Sequence, residues 1–413
     1  MKILTLLMVC SIGIAQGQTK INLSDAFNSA LRREPIKRAE LALEQSREQK
    51  KKVVGAALPQ ISLKADYTRQ DSSGVTSSTF NRTQRAVGLE LKQSLFQGKR
   101  EFALLDKSNN QIAISKEEIE LTKSELLTEV TGSYLEVLFS ENEVALAQEI
   151  ENLARERVGY LQGRVQKGRS RQSELLSAKA ALSSAENELI SLKAQLKHNR
   201  KIFAFITGLK PETKLEELNE IETKDINFFL NKLDNAPQIN LAKLRVIDSH
   251  ADIKAAKAGH WPSVDLKGDY YLDRESVSNR GSDWAVTLSL TLPLFESGKT
   301  NADIKQASYA KNIAESTLRY NEQMLETQVK NLYSDFKATQ DQVKSYKKTV
   351  ELYKQNYQAQ QKEYTLSLVN NLEVLQSLNL YTESRSRLNR LRTNAFQLYY
   401  RLLATVGGSF ELN

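Results

Sequence analysis

The stretch LPQISLKADY, Leu58–Tyr67, returns as WPSVDLKGDY at Trp261–Tyr270. Pro59 and Pro262, Leu63 and Leu266, Lys64 and Lys267, Asp66 and Asp269, and Tyr67 and Tyr270 all match at an offset of 203 residues. In the first copy Ile61, Leu63, Ala65 and Tyr67 share one face, and Ser62, Lys64, Asp66 and Thr68 share the other. This is the period of two of a strand with one apolar face. A second repeated pair follows: VGLELKQSLFQGK at 87–99 and VTLSLTLPLFESGK at 286–299. It matches at an offset of 199 through Phe96 and Phe295, and of 200 at Gly98 and Gly298. Here Val286, Leu288, Leu290, Leu292 and Leu294 face one way, and Thr287, Ser289 and Thr291 the other. Each half of the chain thus carries a strand, a polar loop and a second strand. The strands are expected at about 59–69, 86–96, 261–271 and 284–295.

Runs of about ten residues suit tilted strands that cross a bilayer. Tyr67, Phe96, Trp261, Tyr270, Tyr271, Trp284 and Phe295 lie near the strand ends, where aromatic girdles sit. A soluble two-sheet sandwich alternates in the same way, so the rest of the chain has to decide. The rest reads as helix. No proline occurs between Pro59 and Pro211, and none after Pro293. Apolar residues recur every seven: Leu105, Ile112, Ile119 and Leu126, then Val130, Val137 and Val144. The second half has Val329, Phe336, Val343, Val350, Tyr357 and Tyr364, interleaved with Leu325, Leu332, Thr339, Tyr346 and Tyr353. A sustained heptad marks coiled-coil helices. Val130, Val137 and Val144 map onto Val329, Phe336 and Val343 at the offset of 199, so the duplication covers helix as well as strand.

Breaks fall at QKGRSRQSELL (166–176) and at TLSLVNNLEVL (365–375), where Gly168 or Asn370–Asn371 can turn the chain. Helices are expected at about 24–57, capped by Ser24, then at 100–165, 172–207, 237–259, 300–366 and 372–406. A helix over 100–165 is roughly 100 Å long at 1.5 Å per residue. The acidic, mixed segment 208–236 links the halves.

The opening MKILTLLMVCSIGIAQGQ has one lysine, an apolar run and then small residues. That is the pattern of a secretory leader, expected at 1–17. It holds the only cysteine, Cys10, and its loss with Lys2 leaves a formal charge of +7 from +8. The mature chain needs no disulfide. Its basic residues are spread among acidic ones, and Lys50–Lys52 reads as a solvated helix face, so no nucleic-acid partner is expected. The division is therefore leader 1–17, first repeat 18–207, linker 208–236 and second repeat 237–413.

One chain offers four strands, yet a membrane barrel has no open edges and at least eight strands. Two chains would fill the barrel with side chains; three would give twelve strands and leave a lumen. The expected fold is mostly α with membrane strands: a duplicated unit of strand pair and long coiled-coil hairpin. A conduit therefore favours a trimer, whose twelve strands would close the barrel.

Leader, paired strands and paired hairpins together resemble the TolC-like outer-membrane efflux and export channels. Further matches are LSDAFNSALRREP at 23–35, the LPQISLKADY and PLFESGK boxes, and the two turns. The resemblance implies a homotrimer in the outer membrane of a Gram-negative cell, with a twelve-stranded barrel and an α-helical periplasmic tunnel. An adaptor and an inner-membrane transporter would dock at the tunnel tip, near Gly168, Ser170, Ser367, Val369, Asn370 and Asn371. Such an assembly exports small molecules or secreted protein. In relatives a pair of aspartates after the second turn rings the constriction. Here NNLEVLQ puts Glu373 at the first acidic position and Gln376 at the second, and Glu174 is the first-half equivalent. The other reading of Glu373 is a solvated coiled-coil carboxylate.

No catalytic set, cofactor or metal is expected. His198, His250 and His260 are the only histidines, and no carboxylate cluster accompanies them at ligand spacing. No Gly-rich phosphate loop is present. The rival function is a periplasmic adaptor or coiled-coil scaffold, which would show one hairpin between Gly-rich β halves rather than two hairpins and two strand pairs.

Overall fold

The computed structural model describes residues 20–69, 83–218, 221–274 and 283–407. The leader at 1–17, with Cys10, lies outside the described residues, as do 70–82 and 275–282 in the two polar loops. In order, the elements are α1 (Leu23–Ala30), α2 (Glu34–Ala56), β1 (Gln60–Arg69), β2 (Thr83–Gln97), α3 (Arg100–Gln166) and α4 (Gln172–Thr207). Then come α5 (Ile226–Leu230), α6 (Pro237–Lys257), β3 (Ser263–Arg274), β4 (Trp284–Thr291), α7 (Lys299–Thr365) and α8 (Asn371–Thr405). No helix among the described residues is long and apolar enough to cross a membrane.

The helix expected at 24–57 is two helices, α1 and α2. Pro35 has no N–H to bond the Leu31 carbonyl and is tolerated only in a first helical turn, so the chain breaks at 31–33 and α2 starts at Glu34. The cap of α1 is Asn22, not Ser24: its side chain accepts the Asp25 N–H at 2.8 Å. By contrast α3 and α7 run 67 residues each. Their starts lie 199 residues apart, and so do their ends. The heptad residues named above are buried or half-buried throughout.

The chain divides into two compact units, and each draws on both sequence halves. The strand unit comprises Pro35–Thr122 and Leu230–Gln328. Its sheet runs β1-β2-β3-β4, antiparallel throughout. Leu63 faces Leu89, Leu89 faces Tyr270, and Leu266 faces Leu288, so the apolar residues of all four strands form one face. β4 ends at Thr291, short of the expected 295. Pro293 has no N–H to give a ladder, and Thr291 already pairs with Ser263, the first residue of β3. On the helical side, Ser46 Oγ of α2 meets Ser115 Oγ of α3 at 2.7 Å. Lys107 of α3 pairs with Asp252 of α6 at 2.5 Å. Ala236, Ile239 and Leu325 form a buried cluster between the start of α6 and α7.

Among the described residues, the hairpin unit comprises 20–34, 123–218, 221–229 and 329–407. The remaining lengths of α3 and α7 pack with α4 and α8. Val130, Tyr134, Val137, Val329, Phe336 and Leu402 are buried in its core. The linker segment is tied to it. Ile21 bridges Leu215, and the Tyr134 hydroxyl lies 2.6 Å from the Glu216 carbonyl and 3.0 Å from that of Ile21. Phe229 of α5 is fully buried against Tyr333 and Tyr399.

Candidate functional site: sheet faces and hairpin turns

The sheet has two opposed surfaces. On the apolar one Ile61, Leu63, Leu288 and Leu290 are exposed at 70, 66, 65 and 71%. On the polar one Glu90 is only 3% exposed although it is charged. Lys64, Lys92 and Lys267 reach its carboxylate at 2.7, 3.1 and 3.2 Å, and Lys267 also reaches Asp269 at 3.1 Å. Lys92 and Lys267 lie directly opposite each other in the register. Like charges so placed repel, and Glu90 between them offsets that repulsion. A strand set with charges collected on one face and bare aliphatics on the other suits a barrel wall with lipid outside and water inside.

The hairpin turns close alike. Gly168 and Ser367 both have left-handed backbone, with φ of 67° and 60°. The Arg169 N–H reaches the Arg164 carbonyl at 2.8 Å, and the Gly168 N–H that of Val165 at 2.9 Å. One repeat later the Leu368 N–H reaches Glu363 and the Ser367 N–H reaches Tyr364, both at 3.0 Å. This pair of bonds is the Schellman closure. Glycine adopts it without strain; Ser367 does so against its Cβ.

The helices that follow are capped differently. Asn370 caps α8, with its Oδ1 accepting the N–H groups of Leu372 and Glu373 at 2.9 and 3.1 Å. Its Nδ2 donates to Glu373 Oε1 at 3.0 Å. Arg171, at the matching place before α4, makes no side-chain cap. There the Ser170 hydroxyl donates to Glu174, which lies 3.5 Å from the Tyr364 hydroxyl. Glu174 is therefore half-buried and held, whereas Glu373 and Gln376 are exposed. Val369 is half-buried, packed on the cluster described next, and Asn371 is buried.

Leu161, Leu175, Ala178, Tyr364 and Val374 make one buried cluster from all four helices beside the turns. Above it Arg157, which the sequence reading did not single out, joins the two hairpins. Its Nε and Nη2 donate to Asn371 Oδ1 at 2.9 and 2.7 Å. Its guanidinium lies 3.8 Å from the centre of the Tyr364 ring. Burial pulls this guanidinium below the ordinary arginine range, and the neighbouring tyrosines act the other way. Further along α3 and α8 the seam stays polar. Glu136 pairs with Arg390 at 3.0 Å, Glu149 pairs with Arg385 at 2.7 Å, and Glu143 accepts from Ser386 and Asn389, both at 2.7 Å. Tyr364 had been legible only as a heptad position, and Arg157 carried no signal beyond being a basic residue between apolar ones.

No group of three or more His, Cys, Asp or Glu among the described residues is placed to hold a metal. The sequence model of the outer membrane efflux protein family matches residues 27–209 and 231–408. The chain belongs to that family. Nodulation protein T of Rhizobium leguminosarum bv. trifolii is 21% identical over 306 residues, covering 71% of this chain and 65% of that protein. The matched part is thus just under two thirds of that relative. The outer membrane protein TolC of Vibrio cholerae is 21% identical over 374 residues, 85% of this chain and 82% of that protein. The CmeC outer membrane channel of Campylobacter jejuni superposes with a TM-score of 0.80 at 16% identity, covering 94% of this chain and 86% of that one. This efflux-family chain thus has the TolC-like fold expected from its repeats. The offset of 200 read at the glycines is corrected by the backbone. Left-handed residues fall at Gly98 and Lys99, and at Ser297 and Gly298, so the offset of 199 continues without an insertion.

Proposed function

We propose that this chain is one protomer of a homotrimeric outer-membrane channel. It conducts small molecules or secreted protein out of the cell together with a periplasmic adaptor and an inner-membrane pump. The observation that carries the reading is the four-stranded sheet: its apolar face is exposed, and β1 and β4 are both edges within one chain. Open edges are not viable in hydrocarbon. Three copies give twelve strands, which leave a water-filled interior lined by the Glu90 surface. The chain acts by conduction, without catalysis or a cofactor. The exposed Glu373, with Gln376 beside it, forms the periplasmic constriction, and Glu174 is held aside by Ser170 and Tyr364. The turns receive the adaptor, and exposed Leu366, Leu368 and Leu372 beside the second turn supply apolar contact.

Reconstitution tests this. Outer-membrane fractions should yield a heat-modifiable trimer that conducts in planar bilayers. A soluble monomer without conductance would favour the adaptor or scaffold reading instead.

A further inference from the structure

All four strands meet their helices at the same end of the sheet: β1 after α2, β2 before α3, β3 after α6 and β4 before α7. Two kinds of side chain crowd that end of the strand unit. Leu58 and Trp261 are both 56% exposed, and Leu294 and Phe295 are 89 and 87% exposed. Just on the helix side lie cations. The junction segments 47–59, 98–107, 250–262 and 292–305 hold eleven lysines and arginines against six aspartates and glutamates. Part of this charge is spoken for: Lys51 pairs with Glu48, Lys107 with Asp252 and Lys254 with Asp106. Lys52, Lys99, Arg100, Lys257 and Lys299 are exposed and have no carboxylate partner among the described residues. Of these only Lys257, in the last turn of α6, suits its helix dipole. Lys99, Arg100 and Lys299 stand at the starts of α3 and α7, where the helix dipole disfavours positive charge.

We propose that this collar of unpaired cations beneath exposed Trp261, Leu294 and Phe295 is a docking surface for anionic phospholipid headgroups of the periplasmic leaflet. Tryptophan and other aromatics settle at the headgroup level, which places the cations one or two helical turns outside the hydrocarbon. There, lysine and arginine draw anionic lipid over zwitterionic lipid, and salt weakens the preference. The inference rests on the outer-membrane reading above, so its test must separate the two.

The chain supplies its own reporter. It has two tryptophans, Trp261 at the collar and Trp284 at the opposite strand end, and Trp284→Phe leaves Trp261 alone. The full chain is reconstituted in phosphatidylcholine bilayers doped with brominated phosphatidylcholine or brominated phosphatidylglycerol, and Trp261 quenching is titrated. Brominated phosphatidylglycerol should associate roughly threefold or more tightly than brominated phosphatidylcholine, with the ratio falling as salt rises. Combined Lys52→Gln, Lys99→Gln, Arg100→Gln and Lys299→Gln should bring the ratio to one. Removing four cations from α4 instead (Lys179, Lys193, Lys197 and Lys201, each to Gln) should leave it unchanged. Quenching by both lipids at a ratio of one in the parent overturns the proposal, as does a ratio that survives the collar substitutions. Quenching by neither lipid removes Trp261 from the membrane and overturns the outer-membrane reading with it.

Discussion

Arg157→Met keeps the aliphatic bulk of the side chain and removes the guanidinium that ties the first hairpin to the second. Its two hydrogen bonds, 2.9 and 2.7 Å long, share one acceptor, Asn371 Oδ1. They count as one charged interaction of about 1.5–3 kcal/mol. The stack on Tyr364 at 3.8 Å adds about 1 kcal/mol in a half-buried place. Against these stands the cost of burying the charge, visible as the lowered arginine pKa, which the substitution removes. The expected net loss is about 2 kcal/mol. Part of it would appear in any truncation, so the decisive quantity is the coupling in a cycle with Asn371→Ala. Bonded partners should couple by about 1–2 kcal/mol. Guanidinium unfolding of the detergent-solubilised full chain, followed by far-UV circular dichroism, measures each corner of the cycle. A coupling below about 0.3 kcal/mol would show that Arg157 does not join the hairpins.

Leu290→Arg, on the exposed apolar face, should destabilise the lipid-folded chain by about 2–4 kcal/mol if it lies near mid-bilayer; Ser289→Arg, opposite Asp265 on the polar face, should be tolerated, and equal losses in lipid-folding assays would mean the faces are reversed. Ser367→Gly should stabilise by about 1 kcal/mol, because Ser367 is left-handed at φ 60°, while Gly168→Ala should lose about as much; thermal melts compare the two. Burial raises Tyr134 above the ordinary tyrosine range and Tyr400 to about 12. Both folded values exceed the unfolded one, so the folded chain holds protons that the unfolded chain releases, and stability should fall as pH rises above about 10, by about 1.4 kcal/mol per unit for each group; Tyr134→Phe with Tyr400→Phe should flatten that slope in melts from pH 9 to 11. Glu373→Gln should lower cation preference and divalent block in planar bilayers, and Glu174→Gln should do less; unchanged selectivity with an intact trimer would leave Glu373 a solvated carboxylate.

What the sequence disclosed is what repeats along the chain. Alternation at Ile61, Leu63, Leu288 and Leu290 identified the apolar face, because strand side chains change sides at every residue whatever the partner. Heptads identified Val130, Val137, Val329 and Phe336 as core for the same local reason. Errors arose where a local rule met a competing one. Alternation carried β4 on to Leu294, although Pro293 cannot join a ladder and β3 offers no partner past Ser263. Ser24 is a good cap residue, but Asn22 is equally good and lies where the chain turns.

The missed part of the site shares one property: its partners are distant in sequence. Arg157 and Asn371 are 214 residues apart, and Glu143 and Ser386 are 243 apart. Periodicity states that a residue faces another helix, not which side chain waits there. The mismatch at Gly98 and Gly298 is instructive for the same reason. Matching glycine to glycine suggested an inserted residue, yet the backbone sets two left-handed residues in each junction, one of them a glycine and one not. In the first the glycine comes first, because a Cβ at Gly98 would lie 2.5 Å from the Ala258 carbonyl oxygen. At Gly298 nothing lies within 4 Å, so the second junction needs glycine only for its dihedral angle. Duplication thus kept the path of the chain, while in the first junction alone local crowding decided which of the two left-handed positions had to be glycine.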